Sequence, residues 1–175
     1  MAVITFRKLT EADFPLMFRW LNTPLLLEIW SFGEAPAYEE MAEKYCRYIR
    51  GERPTHPFII ELDGVAMGYI QCYRWRDWPE DAQHLDLDEE AASLDVFIGE
   101  EAYRGRGLGP ALIRQFAREE IFARWPEVAS VVITPEVANE RAIRAYERAG
   151  CTRGRVLHPP HEPRPIQLMR MGRFE

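Results

Sequence analysis

Lysine is missing from residues 102–175, where thirteen arginines supply all the basic charge. Cysteine is scarce throughout. Cys46, Cys72 and Cys151 are odd in number and far apart, which supports neither a disulfide framework nor a CxxC metal site. No apolar run approaches the ~20 residues of a membrane span, and Met1-Ala2-Val3-Ile4-Thr5-Phe6-Arg7 lacks a signal peptide's hydrophobic block. Basic excess is absent too: 22 Lys+Arg against 28 Asp+Glu give a net charge of −6, which argues against a nucleic-acid partner. There is no repeat and no low-complexity tract. These absences leave a soluble, cytoplasmic protein with reduced thiols and no membrane partner. At 175 residues the chain suits a single domain, expected over residues 3–172.

What the chain does have is a division of charge. Residues 1–101 hold nine Lys+Arg against twenty Asp+Glu, a balance of −11, whereas residues 102–175 balance to +5. Ten of the carboxylates fall within 77–101, a stretch without Lys or Arg. Such a split suits a protein that holds a cationic ligand with its first part and an anionic one with its second. The alternative is a solvated acidic surface loop.

Periodicity gives the element order. Val3–Arg7 alternates like a strand, and Thr10 caps a helix with Phe14, Met17, Phe18 and Leu21 on one face, stopped by Asn22-Thr23-Pro24. Leu25–Trp30 reads as a short helix ending near Gly33. Tyr38–Ile49 reads as a third, with Met41, Tyr45 and Tyr48 or Ile49 turned inward. Asp63-Gly64 between Pro57–Leu62 and Val65–Tyr73 is a hairpin signal. Residues 76–91 read as a long polar connection, with Trp75 and Trp78 at its start. A central strand over Leu94–Ile98 leads through a glycine loop into a helix running to about Arg124. A strand from Val128 to Thr134, a helix from Asn139 to Gly150 and a last hairpin, Thr152–Leu157 with Pro165–Met171, complete the order. The expected fold class is α/β, one domain with a mixed, mostly antiparallel sheet of six to seven strands and helices on both faces.

The most informative stretch is the glycine loop, Arg104-Gly105-Arg106-Gly107-Leu108-Gly109. A strand, a glycine loop and a helix together aim backbone N–H groups and a helix N-terminus at an anion. Gly107 and Gly109 leave room for a ligand to approach, and Arg104 and Arg106 add positive charge. The loop reads as a pyrophosphate cradle, with a glycine-rich turn capping an ordinary helix as the alternative. It matches neither the G-x-G-x-x-G dinucleotide fingerprint nor the G-K-[S/T] ending of a P-loop.

Arg104-x-x-Gly107-x-Gly109 after a strand resembles the acetyl-CoA signature of the GNAT superfamily of N-acyltransferases. Asn139-x-x-Ala142-Ile143-x-x-Tyr146-x-x-x-Gly150-Cys151 is similar to a second family segment, with Cys151 where phenylalanine is usual. Trp20-Leu21-Asn22, Trp30, Gly68-Tyr69-Ile70-Gln71, Leu94–Gly99 and Arg141–Glu147 most resemble the aminoglycoside 6′-N-acetyltransferases. Siderophore lysine-type acetyltransferases share the pattern that runs from Gly99-Glu100 through Arg104 to Gly109. The resemblance implies acetyl-CoA as co-substrate and no metal. It implies that pantetheine pairs with the strand edge at Ile98 and that a backbone N–H around Phe97 polarises the thioester. Arg104, Gly105, Arg106, Gly107, Leu108 and Gly109 would hold the pyrophosphate, with Asn139 and Arg144 as further contacts. Asp95 would meet the amine, and Tyr146 would protonate the leaving thiolate. Thr134 stands where those enzymes often carry a second acid.

Amine acetylation needs something to take the proton of an alkylammonium whose pKa lies near ~10. Asp95 is the residue expected to do so, with a solvent-facing strand-end carboxylate as the alternative. Trp30, Trp75 and Trp78, with Asp77, are expected to wall a site for a polycation. The other reading of the same residues is two core tryptophans and a solvated loop. His158 and His161 flank prolines and read as surface residues. The expected function is acetyl transfer to a primary amine of a small polycationic, aminoglycoside-like substrate, by direct attack in a ternary complex of a monomer or homodimer. The alternatives are a siderophore hydroxylamine or lysine-type precursor, a protein amine, and an acyl-CoA-binding regulatory module without chemistry.

Overall fold

A computed structural model of the chain describes residues 2–31 and 33–174, leaving Met1, Phe32 and Glu175 outside the described residues. The strands are β1 (Ile4–Lys8), β2 (His56–Leu62), β3 (Val65–Arg74), β4 (Ala91–Ile98), β5 (Ser130–Ile133), β6 (Thr152–Leu157) and β7 (Ile166–Gly172). They form a seven-stranded mixed sheet in the order β1-β2-β3-β4-β5-β7-β6. The chain divides into two compact units, residues 1–71 with 95–104 and residues 72–94 with 105–175; β3 and β4 contribute to both. Among the described residues no helix is long and apolar enough to cross a membrane.

In the first unit β1 and β2 run antiparallel from Ile4↔Leu62 to Lys8↔Phe58. Asp63 and Gly64 both take positive φ, 51° and 78°, as the two-residue turn foreseen at that pair requires. Helices α1 (Phe14–Leu21), α2 (Pro24–Ile29) and α3 (Tyr38–Ile49) follow the apolar spacing. Phe14, Met17 and Leu21 are buried as expected, and Trp20 joins them although the stripe omitted it. Tyr48, not Ile49, completes the inner face of α3 with Met41 and Tyr45. The entry to α1 is fixed by Asp13, which accepts from the Thr10 N–H and from both terminal nitrogens of Arg7 at 2.9 Å.

In the second unit the long polar connection read over residues 76–91 carries regular structure. A 3₁₀ turn at Trp75–Asp77 and a one-turn helix α4 (Pro79–Ala82) carry Trp75 and Leu85 into a cluster with Ala91, Val132, Ile166 and Leu168. Five of its seven carboxylates pair with arginines: Asp77 with Arg74, Glu90 with Arg76, Asp86 with Arg155, and Asp88 and Glu89 with Arg170. β4 begins at Ala91 rather than Leu94, because burial of the small residues Ala91-Ala92-Ser93 overrides their weak strand preference. It runs parallel to β5 in the register Ala91↔Ser130 and Ala92↔Val131. The helix expected to reach Arg124 is α5 (Leu108–Phe116) followed by a π-helical segment, Ala117–Phe122. Buried Phe116 and Ile121, like Ala117 and Phe122, are five residues apart, a spacing that the wider turn keeps on one face. Helix α6 (Glu140–Ala149) is capped by Asn139, and β6 pairs antiparallel with β7.

Candidate active site

Two residues apart on a strand means the same face, and the first unit uses this twice. Tyr69 and Gln71 share a face of β3, and Asp95 and Phe97 share a face of β4. The Tyr69 hydroxyl donates to Gln71 Oε1 at 2.7 Å, and Gln71 Nε2 donates to Asp95 Oδ2 at 2.8 Å. The Asp95 carboxylate is therefore oriented by an amide that is itself oriented by a phenol. Below it the rings form a continuous wall. Tyr69 stacks on Phe97 at 5.5 Å, Trp30 meets Phe97 edge-on at 4.8 Å, and Tyr45 meets Tyr69 at 5.4 Å and Tyr48 at 5.7 Å.

This setting changes the chemistry of the groups in it. Burial pushes the Asp95 carboxyl above the usual aspartate range, only partly offset by the Gln71 hydrogen bond and the charge of Lys44. Burial likewise raises the Tyr45 and Tyr48 phenols, with Asp95 adding to both. Lys44, one position before Tyr45 on α3, holds its ammonium 5.5 Å from the Tyr45 ring centroid. Its surroundings push its pKa down, against the pull of Asp95. A carboxylate of raised basicity beside aromatic faces can hold an alkylammonium and take its proton.

The end of β4 is held by a tight corner. Gly99 and Glu100 both donate their N–H to the Met67 carbonyl, at 2.9 and 3.0 Å, which makes a bulge. A Cβ at Gly99 would lie 2.2 Å from the Trp20 ring, and one at Gly68 would lie 2.4 Å from the Phe97 carbonyl oxygen. Trp20 Nε1 donates to Glu100 at 2.9 Å, and Arg19 pairs with the same carboxylate. The Arg19 hydrogen bond, then Trp20, hold Glu100 below the usual carboxylate range. The Arg104 guanidinium folds back, with Nε on the Ile98 carbonyl at 2.9 Å and Nη2 on Gly99 at 2.7 Å. Arg104 thus braces the chain at the mouth of the loop, a use that its place in the motif did not reveal.

The loop itself belongs to the second unit. Gly105 and Gly107 take φ of 73° and 74°, and a Cβ built on either meets nothing within 4 Å. Gly107 is the N-cap of α5, whose first-turn N–H groups have no acceptor within the helix. Open backbone, free space and a helix N-terminus fit a pyrophosphate. Gly109 packs α5 against α6, with 3.7 Å from a built Cβ to the Ala145 side chain. On α6, Asn139 Oδ1 accepts from the Ala142 N–H at 3.2 Å, Arg144 pairs with Glu140 at 3.3 Å, and Tyr146 is buried.

The tryptophans part company. Trp30 belongs to the aromatic wall of Asp95, but Trp75 is a buried core ring whose indole N–H donates to the Val132 carbonyl at 3.0 Å. Asp77 is taken up by Arg74, and Trp78 lies edge-on to Tyr73 at 6.1 Å. His161 has neighbours the sequence did not show, His84 at 5.1 Å between rings and Asp81 at 3.3 Å. Among the described residues no group of three or more His, Cys, Asp or Glu could hold a metal. Burial pushes the Cys151 thiol up to about 12 and raises that of Cys46, and Cys72 is fully buried. Lys44, Tyr45 and Tyr48 were missed as site residues because their spacing on α3 reads as packing. The available signal was the single lysine inside an otherwise inward-facing set.

A family model described as an acetyltransferase (GNAT) domain matches residues 10–158. The aminoglycoside N(6′)-acetyltransferase type 1 of Klebsiella pneumoniae is 30% identical over 173 residues, 98% of this chain and 85% of that protein. The lysine N-acyltransferase MbtK of Mycolicibacterium paratuberculosis is 26% identical over 82% of this chain and 62% of its own length. A solved structure of aminoglycoside acetyltransferase AAC(6′)-Ib with coenzyme A and kanamycin matches with a TM-score of 0.80 at 27% identity, covering 98% of this chain and 95% of that one. With glycine loop, capped α6 and central strand all inside the matched residues, this chain belongs to the GNAT family of acetyltransferases.

Proposed function

We propose that the chain transfers acetyl from acetyl-CoA to a primary amine of an aminoglycoside-like polycation, with residues 3–172 working as one cytoplasmic catalytic domain. The observation that carries the reading is Asp95: a carboxyl of raised pKa, oriented by Gln71, above the wall of Trp30, Tyr45, Tyr48, Tyr69 and Phe97. Bound acetyl-CoA supplies an acyl group activated as a thioester. Backbone N–H groups of Gly105 to Gly109 and the start of α5 hold its pyrophosphate, with Arg106 adding charge. Asn139 and Arg144 are further contacts at α6, and Ile98 pairs with the pantetheine.

Asp95 holds the substrate ammonium and accepts its proton, directly or through one water. A backbone N–H near Phe97 polarises the thioester carbonyl. Tyr146 returns a proton to the departing thiolate. The raised thiols of Cys46 and Cys151 and the burial of Cys72 favour direct attack in a ternary complex over acyl transfer through a cysteine. In support, the relatives of known structure include one solved with coenzyme A and kanamycin.

A thiol-release assay over kanamycin, ribostamycin, spermidine, lysine, N-hydroxylysine and a lysine peptide tests the reading. Turnover should be highest with the aminoglycosides. Turnover confined to lysine or N-hydroxylysine would overturn it in favour of the siderophore-type alternative.

A further inference from the structure

A primary amide is directional: its nitrogen only donates and its oxygen only accepts. Beside an ionised carboxylate it must turn its nitrogen to the acid, and its oxygen then needs a donor elsewhere. Both ends of Gln71 meet that demand. Nε2 donates to Asp95 Oδ2 at 2.8 Å, and Oε1 accepts from the Tyr69 hydroxyl at 2.7 Å. The phenol is itself held on several sides. Tyr69 is fully buried, stacked on Phe97 at 5.5 Å and met edge-on by Tyr45 at 5.4 Å and Trp30 at 6.1 Å. At the other end only one oxygen of the acid is taken. Among the described residues no hydrogen bond reaches Asp95 Oδ1.

We propose that Tyr69 and Gln71 are positioning residues for the acceptor, a relay that occupies Asp95 Oδ2 and leaves Oδ1 to receive the amine proton. This assignment rests on the reading of Asp95 as proton acceptor and names the groups that set its orientation and basicity. In the step, an N–H bond of the substrate ammonium breaks and an O–H bond forms at Oδ1. Oδ2 becomes the carbonyl oxygen of the neutral acid and keeps the Gln71 hydrogen bond, so the carboxyl need not turn between its two states. The relay also works against burial. A hydrogen bond to the charged form favours that form, and the phenol, by donating to Oε1, polarises the amide and strengthens its N–H. Without the relay Asp95 would stay protonated to higher pH and serve as a base over a narrower range.

Three variants dissect the relay. Gln71→Leu removes the donor, Gln71→Glu keeps its shape but makes it a second acid, and Tyr69→Phe removes only the hydroxyl. All three leave in place Lys44, Tyr45 and Tyr48, the titratable groups electrostatically coupled to Asp95 from α3. The Asp95 titration is read in the full-length protein without substrate, by carboxyl carbon NMR of isotope-labelled aspartate, assigned with Asp95→Asn. The midpoint should rise by about one to two pH units in Gln71→Leu, the worth of a hydrogen bond to a charged group. It should rise in Gln71→Glu as well, where two carboxyls share a proton. In Tyr69→Phe the rise should be roughly a quarter of that in Gln71→Leu, and the double variant should match Gln71→Leu alone. Midpoints unmoved in both Gln71 variants overturn the relay. A further rise in the double variant overturns the place of Tyr69 in it. The Gln71 side-chain amide proton should keep its hydrogen-bonded resonance below the midpoint; a move to the free position puts the proton on Oδ2 and overturns the assignment of Oδ1. Kanamycin turnover separates the two readings: turnover with unmoved midpoints sinks the relay alone, and moved midpoints without turnover sink the aminoglycoside reading alone.

Discussion

Gly99 and Gly107 are eight residues apart and glycine for opposite reasons. In the first unit, Gly99 and Gly68 are glycine because there is no space: the Trp20 ring and the Phe97 carbonyl occupy the volume a side chain would need. In the second, Gly105 and Gly107 have nothing within 4 Å of a built Cβ, and left-handed backbone is what requires glycine. The first kind belongs to a region where polar groups are already committed to the protein. Gln71 is spent on Asp95, Glu100 on Trp20 and Arg19, and Arg104 on two carbonyls. The second kind belongs to open backbone at the start of α5. On the proposed reading, a preorganised acceptor carboxylate and an open cofactor loop are built with one residue type used in two ways.

The largest effect expected on this contrast is from Asp95→Asn, which keeps an acceptor for Gln71 but removes the base. kcat/KM should fall by roughly 10²-fold or more. In the parent protein the acid limb of the pH–rate profile should lie above the ~3.9 of an ordinary aspartate. Gln71 donates to Asp95, and Lys44, Tyr45 and Tyr48 are electrostatically coupled to it. A raised carboxyl pKa makes a contribution to stability that is present at low pH and lost as pH rises through the folded value. The variant should therefore melt higher than the parent at pH 8 while being nearly inactive. A variant of full activity would remove Asp95 from the mechanism.

Gly99→Ala comes next. The Trp20 indole must move, at a cost of about 1–3 kcal/mol, read as a lowered denaturant midpoint. An unchanged midpoint would show that the corner is looser than its 2.2 Å clearance implies. Gly107→Ala should cost about 1 kcal/mol of backbone strain and chiefly raise KM for acetyl-CoA, leaving KM for the amine unchanged. Calorimetry showing parent-like acetyl-CoA binding by this variant would count against the loop as the pyrophosphate site.

Much of this was legible in the chain. Asp63-Gly64 announced its hairpin, Asn139 and Gly150 bracketed α6, and Arg104 to Gly109 stood out between strand and helix, because turns, caps and glycine loops depend on residues close in sequence. The 77–101 carboxylates were not legible in the same way. Six of the ten pair with arginines, some as distant as Arg170, and nothing local reveals such pairs. Trp75 could be either wall or core until Val132 supplied a partner for its indole. Lys44 and Tyr45 carried only a helical period.

By itself the sequence determined the family and the order of elements, and it singled out Arg104 to Gly109 as the candidate cofactor loop, since these follow from spacing along the chain. Only the tertiary structure decided which acid is basic, which glycines are full and which empty, and which lysine is electrostatically coupled to Asp95. Burial and cross-strand contact set those properties, and both join residues that the chain keeps far apart.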